Sequence, residues 1–222
     1  MAQGPSPARE AVPRPRIQTL SDMIFGLALS IGAVTLLNQK PTDVLAVAYS
    51  VLSFGFSFLI LATVWLRYSR IMSVLPAESS GTIVANMLLL FLVSVEPYLF
   101  NLMTASSYAP PSGQLDLGAT TVLYALDLGA LQVILGYFLH ELTVEERRLI
   151  PKELVRSYTL SMYTTFASAA VFLLSTLPVF WSVLVIQSPT VPLRFVMWNV
   201  VWVLNTARRV DVRATASRRS EP

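Results

Sequence analysis
Apolar residues gather into six long stretches, at residues 20–37, 44–66, 81–103, 118–139, 160–186 and 191–207, with polar and charged residues clustered between them. An α-helix rises about 1.5 Å per residue, so roughly 20 apolar residues are needed to cross a hydrocarbon core about 30 Å thick. The pattern therefore predicts an all-α, polytopic membrane protein with six transmembrane helices. The first and last stretches are only just long enough. The fifth exceeds one crossing, which predicts a tilt or a break near Leu177 and Pro178, where proline removes a backbone donor. Residues 1–15, rich in Pro, Ala and Arg and without periodicity, read as a flexible tail, and residues 210–222 as a second, basic one. Residues 16–209 then form one six-helix domain.

Charge fixes an expected orientation. Lys and Arg occur in the first tail (Arg9, Arg14, Arg16), after the second stretch (Arg67, Arg70), after the fourth (Arg147, Arg148, Lys152, Arg156) and at the end (Arg208, Arg209, Arg213, Arg218, Arg219). Only Lys40 and Arg194 fall to the other set of loops, so fourteen of the sixteen basic residues collect on one side. The positive-inside rule makes that side cytoplasmic, which places both termini there and requires an even number of spans in the cell membrane. A cleaved signal peptide fits poorly, since the first stretch lacks a small-residue cleavage site and five further spans follow it. Composition agrees: apolar residues are 54% of the chain, charged residues 13%, and the mean hydropathy is +0.60. A soluble domain carries about 25% charged residues. The net charge of +3 and pI near 9.4 thus serve topology and anionic lipid headgroups, with no nucleic-acid partner implied.

Enzyme signatures are missing. The sequence has no P-loop, no GxSxG and no HExxH, and it has no Cys, which excludes disulfides, thiolate catalysis and Cys metal sites. His140 is the only histidine and reads as an interfacial helix-end residue. A metal site would need carboxylates from several distant helices to converge on it, so no enzyme activity, cofactor or metal is expected. Two carboxylates do fall inside spans. Glu96 lies late in the third stretch, which places it toward the outer interface, and Asp127 lies about 9 residues, or about 14 Å, into the fourth. Intramembrane carboxylates are candidates for proton or cation transport by default, and interhelical hydrogen bonding is the competing role.

The first stretch carries the most information. Arg16, Ser21 and Asp22 stand where the chain enters the bilayer. They either cap the helix N-terminus or lie inside the helix and fasten it to its neighbours. Beyond them, Leu27, Ser30, Ile31 and Val34 recur at spacings of three and four and share one face. Ala28 and Gly32 form a small-xxx-small pair suited to close helix contact. An apolar face with one hydroxyl suits a pore that gates by dewetting, and core packing produces the same pattern.

The run Arg16-x-x-x-Leu20-Ser21-Asp22 resembles the Arg-x-x-x-Phe-Ser-Asp signature of prokaryotic relatives of the lysosomal potassium channel TMEM175. Residues 53–58 through Trp65-Leu66-Arg67-Tyr68-Ser69-Arg70 resemble that family's second helix and its Trp-x-x-His-His ending, and Asn86–Pro97 and Leu123–Asp127 resemble its third and fourth helices. The resemblance implies a homotetrameric channel, permeable to potassium and other monovalent cations, lacking a TVGYG filter and lined by its first helix. It assigns Arg16, Ser21, Asp22 and Trp65 to a packing network, with Tyr68 at a signature histidine position. It assigns Leu27 to an apolar constriction, Ser30 to the hydroxyl position, and Ile31 or Val34 to the next ring. Leu20, Tyr68 and Ser69 depart from the signature, as do the acidic Glu96 and Asp127. A proton- or cation-coupled carrier using Asp127 or Glu96, and a non-conducting structural protein, remain as alternatives.

Overall fold
The computed structural model describes residues 16–38, 43–75, 79–106, 117–144, 149–187 and 190–201. The two tails and the clusters at residues 145–148 and 202–222 lie outside them. Five long helices come first: α1 (Arg16–Asn38), α2 (Val44–Met72), α3 (Ser80–Ser106), α4 (Leu117–Thr143) and α5 (Lys152–Ser175). A single-turn α6 (Val179–Ser182) and a two-stranded hairpin, β1 (Leu184–Gln187) and β2 (Thr190–Pro192), lead into α7 at residues 193–201. By length and composition α2, α3 and α4 can each cross a membrane, and Gln18–Val34 of α1 is a shorter apolar helical segment. The chain is a multi-pass, essentially all-helical membrane protein.

Local chemistry explains several helix ends. Asp43 caps α2, its Oδ1 accepting the Ala46 N–H at 2.7 Å, and Ser79 does the same for α3 through the Thr82 N–H at 3.2 Å. Helix α5 stops at Ser175, and Pro178 starts α6 at its first turn. The fifth apolar stretch is therefore broken at residues 176–178, and its remainder forms α6 and β1. The hairpin is a departure from the purely helical expectation. Short β-branched runs such as Val183–Ile186 and Thr190–Val191 suit an extended ribbon, closed by the Leu193 N–H bonding to the Val183 carbonyl at 2.9 Å.

Contacts between successive helices reverse in register, which makes the packing antiparallel. On the α4/α5 seam, Gly129 meets Phe172 and Leu173 while Gly136 meets Phe166. These glycines bring the helices close: a Cβ on Gly136 would stand 2.8 Å from Phe166 Cε1, and one on Gly129 2.9 Å from Leu173 Cδ2. Helix α1 packs on α2 and α3, and α4 on α3 and α5. Helix α4 is the most enclosed, burying Tyr124, Leu131, Leu135, Phe138 and Leu142. Helix α2, by contrast, leaves Val44, Leu45, Val51, Leu52, Phe56, Phe58 and Leu59 exposed. Water would not tolerate such a surface on a monomer, whereas lipid or a second subunit would.

Candidate functional site
Helix α1 begins at Arg16, so Ser21 and Asp22 lie in its second turn and not at its cap. The Arg16 side chain is outside the described residues. Ser21 is fully buried. Its Oγ lies 2.7 Å from the Tyr68 hydroxyl, which lies another 2.7 Å from Asn86 Oδ1, and Asn86 Nδ2 returns to Ser21 Oγ at 3.4 Å. A phenol has one hydrogen and an amide oxygen can only accept. The ring closes when Ser21 donates to Tyr68, Tyr68 to Asn86, and Asn86 to Ser21. One side chain from each of α1, α2 and α3 is thus tied in a dry triangle. Beside it the Trp65 indole donates to Asp22 Oδ1 at 3.0 Å, and the Phe25 ring packs on Tyr68 with centroids 5.5 Å apart. Tyr68 therefore serves Ser21 and Asn86, while Trp65 serves Asp22. Asn86 was not among the residues assigned to this network; a lone amide inside an apolar run was the available sign.

The two faces of α1 differ sharply. Phe25, Ala28 and Gly32 are buried, with Gly32 against Phe54 and Pro97. The opposite face carries Leu27, Ser30, Ile31 and Val34, all exposed, Leu27 by 60%. The Ser30 hydroxyl turns back to the Gly26 carbonyl at 2.8 Å, the usual way a helix silences a hydroxyl in apolar surroundings. Among the described residues of one chain nothing covers this stripe.

The two intramembrane carboxylates sit elsewhere. Glu96 is fully buried within the bundle, accepting from Tyr124 of α4 at 3.1 Å and from Ser57 of α2 at 3.1 and 3.3 Å. Asp127, one turn along α4 from Tyr124, is 4% exposed, and among the described residues neither of its oxygens has a hydrogen-bond partner. Among the described residues no group of three or more His, Cys, Asp or Glu is placed to hold a metal.

Arg194, counted above as a loop charge, is also buried. Its Nε donates to the Ser175 carbonyl at 2.7 Å, and its Nη1 to Thr121 Oγ1 at 2.6 Å and the Gly118 carbonyl at 3.0 Å. The guanidinium stands 5.3 Å over the Trp181 ring. It satisfies the bare C-terminal carbonyls of α5 and favours that helix's negative dipole end, so α4, α5 and α7 are pinned together at one end of the bundle.

Residues 16–97, which contain the Ser21–Tyr68–Asn86 triangle and the exposed α1 stripe, match the model of the family described as endosomal/lysosomal potassium channel TMEM175. Over these residues the chain is similar to the TMEM175 family. Two solved TMEM175 structures share its fold over nearly its full length. The lysosomal potassium-selective channel TMEM175 homolog from Chamaesiphon minutus superimposes with a TM-score of 0.56 at 16% identity, covering 88% of this chain and 96% of that one. The potassium channel MtTMEM175, in complex with a nanobody–MBP fusion, superimposes with a TM-score of 0.62 at 16% identity, covering 98% of this chain and 100% of that one. No curated protein matches the sequence. The family match takes in α1, α2 and most of α3, while Asp127 and Arg194 lie beyond it.

Proposed function
We propose that this chain is the subunit of a potassium-permeable cation channel in which α1 lines the pore. The observation that carries the proposal is the exposed stripe of Leu27, Ser30, Ile31 and Val34 opposite a face of α1 fixed to α2 and α3. A helix so fastened on one side and bare on the other can be covered by further copies of itself. One such helix cannot surround an aqueous path, so the assembly is a C4 homotetramer with four α1 helices innermost. Its spans number six, with α7 as the last, and both termini are cytoplasmic. The Leu27 side chains form the constriction, Ser30 follows, and Ile31 or Val34 supplies the next apolar ring. Such rings gate by excluding a continuous water column, without a TVGYG filter. Arg16, Ser21, Asp22, Trp65 and Tyr68, with Asn86, hold α1 at the angle this requires. The two solved relatives, both named as potassium channels, support the same reading.

Flux from proteoliposomes tests it. A channel gives electrogenic flow down a potassium gradient with no second substrate. A carrier working through Asp127 or Glu96 gives flow only with a coupled ion, and a structural protein gives none. Native mass measurement in detergent that found only monomers, together with retained flux, would remove the tetramer from the account.

A further inference from the structure
We propose that Glu96 and Asp127 form a proton-binding site inside each subunit, separate from the α1 stripe and reached through a polar crevice between α1, α2 and α3. The crevice has room for about 20 Å³ and is lined on its polar side by Ser50, Ser53, Ser57, Asn101 and Thr104, with Gly32 of α1 forming part of its wall. That is space for a single water. At its inner end Ser57 passes directly to Glu96, and Glu96 to Tyr124. Asp127 lies within electrostatic range of both Glu96 and Tyr124.

Two buried carboxylates at this depth need positive charge. The chain has no Lys, Arg or His between residues 71 and 139, which covers all of α3 and nearly all of α4. Helix α2 offers nothing nearer than Arg67, which bonds Gln132 of α4 at 3.2 Å. Helix α7 offers Arg194, whose donors are taken by Ser175, Gly118 and Thr121. Helix α1 has no charged residue from 23 to 38, and α5 has none from 157 to 175. The other ionisable side chain on α3 beside Glu96, Tyr98, is exposed on the outside of the bundle. An ionised Asp127 with no donor and no counter-ion would be prohibitively costly in such surroundings.

A proton meets the requirement with the least rearrangement. A dehydrated alkali ion needs several oxygens around it at once, and among the described residues neither Asp127 oxygen has a hydrogen-bond partner. Uptake is a simple addition, a proton joining a carboxylate oxygen and cancelling its charge, and the serine-lined crevice leads to Glu96 through Ser57.

Infrared spectroscopy of the full-length protein in lipid nanodiscs tests the site without relying on conduction. At neutral pH the wild type should show the carbonyl stretch of a protonated carboxyl group. Asp127→Asn and Glu96→Gln, which match the protonated shapes, should each remove part of that band, and the double variant all of it. Exchanging sodium for potassium should leave it unchanged. A wild-type spectrum at neutral pH with no such band overturns the proposal. So does a band that converts to carboxylate when sodium or potassium is added at fixed pH, which would make the site an alkali-ion site. Should the variants fail to assemble, carbon-13 labelling of Asp and Glu side chains in the wild type reads the same protonation by solid-state NMR, with the same two outcomes overturning it.

Discussion

Removing only the hydroxyl of Tyr68 isolates the energy of the triangle that holds α1. Tyr68→Phe keeps the ring, and with it the contacts to Phe25 at 5.5 Å and Phe138 at 6.5 Å between centroids, so no cavity opens. What disappears is the one donor to Asn86 Oδ1 and the acceptor for Ser21, in a region where Ser21, Tyr68 and Asn86 are all fully buried. A neutral hydrogen bond contributes about 0.5–1.5 kcal/mol net, and a buried acceptor left without its donor costs about 1–3 kcal/mol. The expected loss is therefore about 1–3 kcal/mol. Tyr68→Ala should cost about 3–5 kcal/mol, because it also deletes the ring. Asn86→Leu removes the other end of the bond, and in the Tyr68→Phe background it should cost less than in wild type, giving a coupling of about 0.5–3 kcal/mol. Reversible denaturant unfolding in mixed micelles, followed by tryptophan fluorescence, measures all four corners of the cycle. A Tyr68→Phe variant within about 0.5 kcal/mol of wild type, combined with an additive cycle, would refute the triangle as a fastening.

Four other outcomes are expected. Leu27→Ala should raise basal cation flux and weaken discrimination between potassium and sodium in planar bilayers; lower stability of about 2–5 kcal/mol with unchanged conductance and selectivity would instead mark Leu27 as a packing residue. Gly136→Ala should destabilise the protein by about 1–3 kcal/mol, since its Cβ must displace the Phe166 ring. Gly55→Ala, with nothing within 4 Å of the new carbon, should be neutral or stabilise by up to about 1 kcal/mol, both measured by the same denaturant unfolding. Arg194→Lys should lower stability by about 1.5–3 kcal/mol, because a single ammonium cannot reach the Ser175 and Gly118 carbonyls and Thr121 together; unfolding that matches wild type would count against the pin at the α4, α5 and α7 ends.

The linear chain alone determined where helices lie and that they belong in a membrane, because backbone groups in hydrocarbon must bond within their own segment and long apolar runs announce this. It also marked the two faces of α1, since spacings of three and four carry Leu27, Ser30, Ile31 and Val34 to one side and Ala28 and Gly32 to another. The resemblance in Arg16 to Asp22 and in Trp65 to Arg70 pointed toward the family that matches residues 16–97. Tertiary structure decided the partners. Ser21 and Asn86 are 65 positions apart and Arg194 and Gly118 are 76 apart, and no local pattern links residues at such distances. It also decided that Glu96 is enclosed by Ser57 and Tyr124, that Arg194 is a buried pin and not a loop charge, and that the fifth stretch breaks at residues 176–178 into a turn of helix and a hairpin. The physical reason is that lipid and protein core are equally apolar. Periodicity then tells which residues share a face, but not which face meets lipid, another helix or another subunit. Only the packed bundle, where each buried polar atom must find its donor or go without, separates them.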